Sequence, residues 1–242
     1  SDLELATLFT EMENVLSQIP PFFGSNSWVI SASRSKSGKV ILANDPHIGF
    51  SAPSTWYEAH LKTPDWELYG HHLAGIPFAL LGHNRRMAWG VTMLQNDDLD
   101  YYRERANPAN PDQVWFRDHW EELKIITETI SVKGGEDHPL RVRISRHGPI
   151  INDVLESVEK TEIQPVALAW EMLSNFENST EQVFYELGHS TSLADSRAAV
   201  SKLHAPGLNI NYGDAEGNIA WWGAARLLIR PEHVNSYVIL DG

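Results

Sequence analysis

The sequence predicts an α+β fold built from largely antiparallel sheets. Three observations lead there. Ten strand-like runs crowd residues 27–150, with turn signals between them. Two helical patterns then open at Ser179 and Ser192. Strand-like runs resume at 207–213 and 218–224. This order lacks the regular alternation of strand and helix that builds a parallel sheet.

The elements follow in order. Residues 3–19 carry Leu5, Leu8, Phe9, Met12, Leu16 and Ile19 at spacings of three and four, an amphipathic helix that Pro20-Pro21 ends. Phe22-Phe23-Gly24 leads to Ser25 at the entrance of the first strand. Runs 27–33 and 39–43 face each other across Lys36-Ser37-Gly38-Lys39, a hairpin signal. Further runs lie at 55–62, 66–72, 78–83, 87–93, 99–105, 113–117, 124–132 and 139–147. Ala52-Pro53, Thr63-Pro64-Asp65, Asn107-Pro108, Asn110-Pro111-Asp112 and Gly134-Gly135 punctuate them. Leu140-Arg141-Val142-Arg143-Ile144 alternates and predicts one wet face. Trp56, Trp66, Trp89, Trp115 and Trp120 lie in or beside these runs and read as core. Ser179-Thr180-Glu181-Gln182 is a capping box with Val183, Phe184 and Leu187 behind it. Ser192-Leu193-Ala194-Asp195 starts a second helix, with Ala198, Ala199 and Leu203 as its apolar positions.

Composition narrows the function classes. The 242 residues are 42% hydrophobic and 21% charged, ordinary for a globular chain with a sizeable core. A net charge of −13, with no basic run longer than Arg85-Arg86, argues against a nucleic-acid partner. The absence of cysteine excludes disulfides and thiolate metal sites. No apolar run approaches the roughly 20 residues of a membrane span, and no signal peptide is visible. The chain opens within a helical pattern and stops at Asp241-Gly242 after a strand-like run, so both ends read as cuts through a longer protein.

Four groups carry possible chemistry. Ser25 reads on its own as an ordinary polar loop residue, but it follows a glycine. If the Gly24–Ser25 bond is cut, the freed α-amino group, with a pKa of about 8, can take the hydroxyl proton. Asp97-Asp98-Leu99-Asp100 offers carboxylates and a backbone carbonyl suited to a hard cation such as Ca²⁺, or else a solvated acidic turn. Asn209, in Leu208-Asn209-Ile210-Asn211-Tyr212, is disfavoured inside a strand. It is either a structural amide or a donor aimed at an oxyanion. His71, His72 and His83 invite a zinc reading, but neighbours on a strand point to opposite faces and no His-Glu-x-x-His pattern is present.

Seven segments in one order resemble the penicillin acylase family: Gly24-Ser25-Asn26-Ser27-Trp28-Val29-Ile30, Ala43-Asn44-Asp45-Pro46-His47, Gly82-His83-Asn84, Ala88-Trp89-Gly90-Val91-Thr92, Asp97-Asp98-Leu99-Asp100, Arg146-His147-Gly148-Pro149-Ile150 and Asn209-x4-Asp214-x2-Gly217-Asn218-Ile219. The resemblance implies an N-terminal nucleophile hydrolase, an αββα sandwich that this chain covers only in part. It implies a precursor that cuts itself between Gly24 and Ser25. Residues 1–24 would then precede the cut, and 25–242 would form the amino-terminal portion of the large subunit. By the same resemblance Ser25 is the nucleophile and His47 lies near it. The Met93 backbone N–H and the Asn209 side chain form the oxyanion hole. Arg230 falls near the substrate. Asp97, the Leu99 carbonyl and Asp100 supply part of a structural calcium site. His147 is structural, bending the chain at its His-Gly-Pro turn. Expected partners are a small-molecule acyl amide and the remaining segments of the precursor, with export to the periplasm and no organic cofactor.

The leading expectation is an amidohydrolase acting through an acyl-enzyme. Two others stand beside it: an uncleaved or non-catalytic member that binds without cutting, and a metal-dependent hydrolase using the Asp97–Asp100 cluster.

Overall fold

The computed structural model describes residues 22–155, 164–174 and 180–242. The predicted helix over 3–19 and the Ser179 end of the capping box lie outside the described residues. In chain order the strands are β1 (Phe22–Ile30), β2 (Ile41–Ile48), β3 (Trp56–Lys62), β4 (Glu67–Leu73), β5 (Leu81–Asn84), β6 (Met87–Met93), β7 (Leu99–Arg103), β8 (Ala106–Asn107), β9 (Asn110–Phe116), β10 (His119–Glu122), β11 (Lys124–Ile130), β12 (His138–Ile144), β13 (Val166–Trp170), β14 (Leu208–Asp214), β15 (Ile219–Ala224) and β16 (Leu240–Asp241). The helices are α1 (Glu171–Ser174), α2 (Thr180–His189) and α3 (Leu193–Val200).

The described residues divide into two compact units. The first holds 22–97 and 180–227. Its six-stranded antiparallel sheet runs β15-β14-β6-β5-β4-β3. Alternation along the strands sorts the side chains. Leu68, Met87, Trp89, Val91, Leu208, Ile210 and Tyr212 point to one face and are buried against Val183, Phe184 and Leu187 of α2 and Ala199 and Val200 of α3. Ser192 caps α3, its hydroxyl accepting from the Asp195 N–H at 3.1 Å.

The opposite face carries the β1–β2 hairpin, which packs across β6 and β14. Two glycines let it sit close. A Cβ at Gly90 would lie 2.8 Å from the Asn44 Cβ, and one at Gly213 would lie 2.6 Å from Val40 Cγ1. Helices, large sheet and hairpin thus form three layers within this unit.

The second unit holds 98–155, 164–174 and 228–242. It contains the three-stranded sheets β10-β9-β8 and β13-β7-β16 and the hairpin β11-β12. Its cores are Tyr101, Ile151, Leu155 and Val166, and Val114, Leu123, Ile150 and Ala167. Here His147 is held in place: Nδ1 lies 3.0 Å from Glu104 Oε1, and its ring stacks on Tyr102 at 3.8 Å. Burial pushes the Glu104 carboxyl up, but His147, Ser145 and Arg146 hold it below its ordinary value.

Several boundaries differ from the sequence reading, most of all at β1 and β2. β1 starts at Phe22 and passes through Ser25, and β2 continues to Ile48 through Asn44-Asp45-Pro46-His47. Pairing with a neighbour overrides the weak strand preference of Gly, Asn, Asp and Pro. The sequence reading also assigned nothing to 166–170, which pairs with β7 as β13.

Candidate active site

Ser25 lies on the inner, half-buried row of β1 with Ser27 and Val29, while Gly24, Asn26, Trp28 and Ile30 face outward. Its hydroxyl donates to the Gly24 carbonyl at 2.6 Å, the peptide group it would attack in self-cleavage. Gly24 has φ +139°, where a side chain is disfavoured, and a β-bulge falls between Phe22 and Gly24. Register places Ser25 opposite Pro46 and Gly24 opposite His47. His47 therefore stands beside the Gly24–Ser25 peptide, but on the outer face. Its Nε2 meets Asp45 Oδ2 at 2.9 Å and the Asn26 amide at 3.4 Å. Its imidazole and the Ser25 hydroxyl are on opposite faces of the hairpin.

Asn44, to which the sequence reading gave no role, ties Asn26, the residue after Ser25, to the large sheet. Its Nδ2 donates to the carbonyls of Asn26 at 2.8 Å and Val91 at 3.0 Å, and its Oδ1 accepts from the Val91 N–H at 2.8 Å. One side-chain amide thus pairs with Val91 as a neighbouring strand would. It can do so because β5 has ended: Gly82 pairs with Trp89, and the β5–β6 ladder goes no further along β6.

Met93 lies two residues on, in the same row. The Leu94 N–H donates to the Gly207 carbonyl at 2.9 Å. By the alternation of an antiparallel ladder, the Met93 N–H points away from β14, past the end of β5. Asn209 stands opposite Thr92. Its Nδ2 donates to Thr92 Oγ1 at 3.2 Å and to the Met93 carbonyl at 3.1 Å, and its Oδ1 accepts from the Trp221 indole at 3.2 Å. The two residues predicted to form an oxyanion hole are therefore neighbours, on the sheet that carries the Ser25 hairpin.

Arg230 and Asp100 meet in the second unit, with Arg230 Nε donating to Asp100 Oδ2 at 2.9 Å. Asp100 is buried, and among the described residues its Oδ1 accepts no hydrogen bond. Leu99 and Asp100 open β7, and Asp97 is exposed. Among the described residues, no three His, Asp or Glu side chains converge as a metal site.

Sequence reasoning missed Asn44, Thr92 and Trp221. An asparagine inside a strand pattern was the available signal for Asn44. Thr92 and Trp221 carried none, because threonine and tryptophan are ordinary strand residues.

These layers and pairings make an α+β fold of largely antiparallel sheets. A penicillin G acylase from Alcaligenes faecalis shares the fold with a TM-score of 0.79 at 24% identity, over 89% of this chain and 38% of that one. The family model for penicillin amidase matches residues 2–242, and the chain belongs to that family. An acyl-homoserine lactone acylase, QuiP, from Pseudomonas aeruginosa is 31% identical over 217 residues, covering 86% of this chain and 25% of the relative. Penicillin acylase 2 proenzyme from a Pseudomonas species is 28% identical over 226 residues, 90% of this chain and 27% of the relative. The chain thus spans about a quarter of the length of these curated relatives.

Proposed function

We propose that the full-length protein is a self-processing amide hydrolase whose nucleophile is Ser25, released as a chain terminus by cleavage after Gly24. The observation that carries this reading is the Asn44 bridge. It ties the residue after Ser25 to the strand that ends at the Met93 N–H beside Asn209.

In the proposed reaction the Ser25 α-amino group takes the hydroxyl proton, directly or through one water, and Oγ attacks the acyl carbonyl. The Met93 N–H and the Asn209 amide receive the charge that develops on oxygen. For that, the Asn209 amide exchanges its bond to Thr92 Oγ1 or to the Met93 carbonyl for one to the oxyanion. The amine leaves with the proton, and water releases the acyl group by the same route in reverse. His47, on the outer face with Asp45, acts at most on the environment of the Gly24–Ser25 peptide and is not the base. Penicillins, cephalosporins and N-acyl homoserine lactones are the substrate classes to try first, since relatives carry the names of penicillin and acyl-homoserine lactone acylases.

We further propose that a structural calcium ion takes Asp100 Oδ1 and the Leu99 carbonyl as ligands, with others from outside this chain. The buried Oδ1, which accepts no hydrogen bond from the described residues, supports it, and a carboxylate with a carbonyl is the donor set a hard cation takes. Arg230 would then hold Asp100 Oδ2, so a substrate role for Arg230 requires it to leave that partner.

The continuous β1 strand through Ser25 favours a second reading, an uncleaved and inactive precursor. One experiment separates the two. The full-length protein is expressed, and the amino-terminal sequences and intact masses of its subunits are determined. A subunit beginning Ser25-Asn26-Ser27-Trp28, absent in Ser25→Ala, is the expected outcome. A parent that stays in one piece while folded and hydrolyses no acyl amide favours the precursor reading.

A further inference from the structure

We propose that Trp221 is a positioning residue that sets which end of the Asn209 amide faces the oxyanion. This inference rests on the catalytic reading of Ser25 and Asn209 above.

An asparagine amide can turn over about its last torsion, exchanging a donor for an acceptor. In an oxyanion hole only one of those faces works, because the carbonyl oxygen would repel the charge it should stabilise. An indole N–H donates and never accepts. The atom of Asn209 that Trp221 Nε1 meets at 3.2 Å must therefore be the oxygen, which turns the NH₂ toward Thr92 and Met93. Both partners on that side accept, so the whole network is consistent with one orientation only.

The local geometry makes the contact possible. Gly223 stands opposite Asn209, and Trp221 is its diagonal neighbour on the same face. A Cβ at Gly223 would have the indole at 3.7 Å and Leu94 at 3.6 Å, so the ring leans past a position without a side chain to reach Asn209. Trp221 is 63% exposed, so its burial against the sheet is slight and its definite interaction is this hydrogen bond. The sequence supplies a second indole next to it, Trp222, which faces the helix side and packs on the core. Only Trp221 is on the Asn209 face.

The test replaces Trp221 by Phe in the full-length, processed protein, which keeps a ring and removes the N–H. Initial rates are measured on a panel of penicillins and N-acyl homoserine lactones, and kcat and KM are taken on the best substrate. A boronic acid bearing the same acyl chain serves as a tetrahedral probe. The expected result is a fall in kcat of about five- to tenfold with KM held within about twofold, the part of an oxyanion donor's contribution that orientation supplies. Boronate affinity weakens by the same factor, and the melting temperature is unchanged. Trp221→Leu gives the same kcat loss. Unchanged kcat in Trp221→Phe overturns the inference. So does a loss confined to KM, or one that tracks a lowered melting temperature, since a wall or a packing role produces those. Ser25→Ala is run in parallel. If it retains turnover, the catalytic reading itself has failed and this inference falls with it. If Ser25→Ala is inactive and Trp221→Phe is normal, only this inference fails.

Discussion

Asp214 shows how much one side chain decides. Its carboxylate accepts from the Tyr212 hydroxyl at 2.8 Å, from the Asn218 amide at 2.8 Å, and from the backbone N–H groups of Asn218 at 2.9 Å and Glu216 at 3.0 Å. Burial pushes its pKa up, and the Asn218, Tyr212 and Glu216 donors outweigh that and hold it below the ordinary carboxylate value. A depressed folded pKa gives stability that is present above the unfolded pKa, about 4, and is lost as pH falls through the folded value. Asp214→Asn is therefore expected to lose about 1–3 kcal/mol at neutral pH. Its deficit against wild type should shrink as urea midpoints are followed from about pH 6 toward pH 2. Asn44 belongs to the same scale. Asn44→Ala bares the Val91 N–H and carbonyl and the Asn26 carbonyl, for an expected cost of about 2–4 kcal/mol. Thermal unfolding measures that cost. A pulse-chase of the full-length protein should show slower cutting at Gly24–Ser25.

β6 is the element on which both faces depend. Met87, Trp89 and Val91 enter the helix-side core, while Gly90 receives the Asn44 side chain and Thr92 meets Asn209. Substitutions on the two faces should separate. Ile210→Ala, on the core face of neighbouring β14 and fully buried, is expected to cost about 3–4 kcal/mol in urea unfolding with the same cleavage site. Gly90→Ala pushes a methyl to 2.8 Å from Asn44 and lifts the hairpin instead. Its expected cost is smaller, about 1–3 kcal/mol, with a disproportionate loss of self-cutting in the same pulse-chase. The strands themselves were legible, because alternation of apolar residues with period two is a local property. The ends of β1 and β2 were not, because Gly24 and Asn44-Asp45-Pro46 become strand only through pairing with each other's neighbourhood.

At the scale of the whole molecule the chain forms two units, each with its own core. The candidate active-site residues Ser25, His47, Asn44, Met93, Asn209 and Trp221 all belong to the first. Asp100 and Arg230 belong to the second. This division separates two expectations for chelation. Prolonged treatment of the full-length protein with a calcium chelator should lower its melting temperature through Asp100, whereas the initial rate of amide hydrolysis before unfolding should hold. An immediate and reversible loss of turnover would instead indicate a metal at the reacting centre.

The sequence by itself determined the class of fold and most strand and helix positions among the described residues; it offered Gly24-Ser25 and Asn209 as candidates, and Met93 only through its resemblance to the penicillin acylase family. Periodicity, turn residues and short motifs are carried by neighbours along the chain. Only the tertiary structure decided that His47 stands on the opposite face of the hairpin from the Ser25 hydroxyl. It alone showed that Asn44 completes the edge of β6 and that Trp221 meets the Asn209 amide. Those facts depend on where β5 stops, how close two sheets approach over a glycine, and which way an amide is turned. The Asn44–Val91 contact spans 47 residues of sequence, and Asn209–Thr92 spans 117. A hydrogen bond at that separation leaves no periodic trace, because its partners meet only after every intervening strand has found its register.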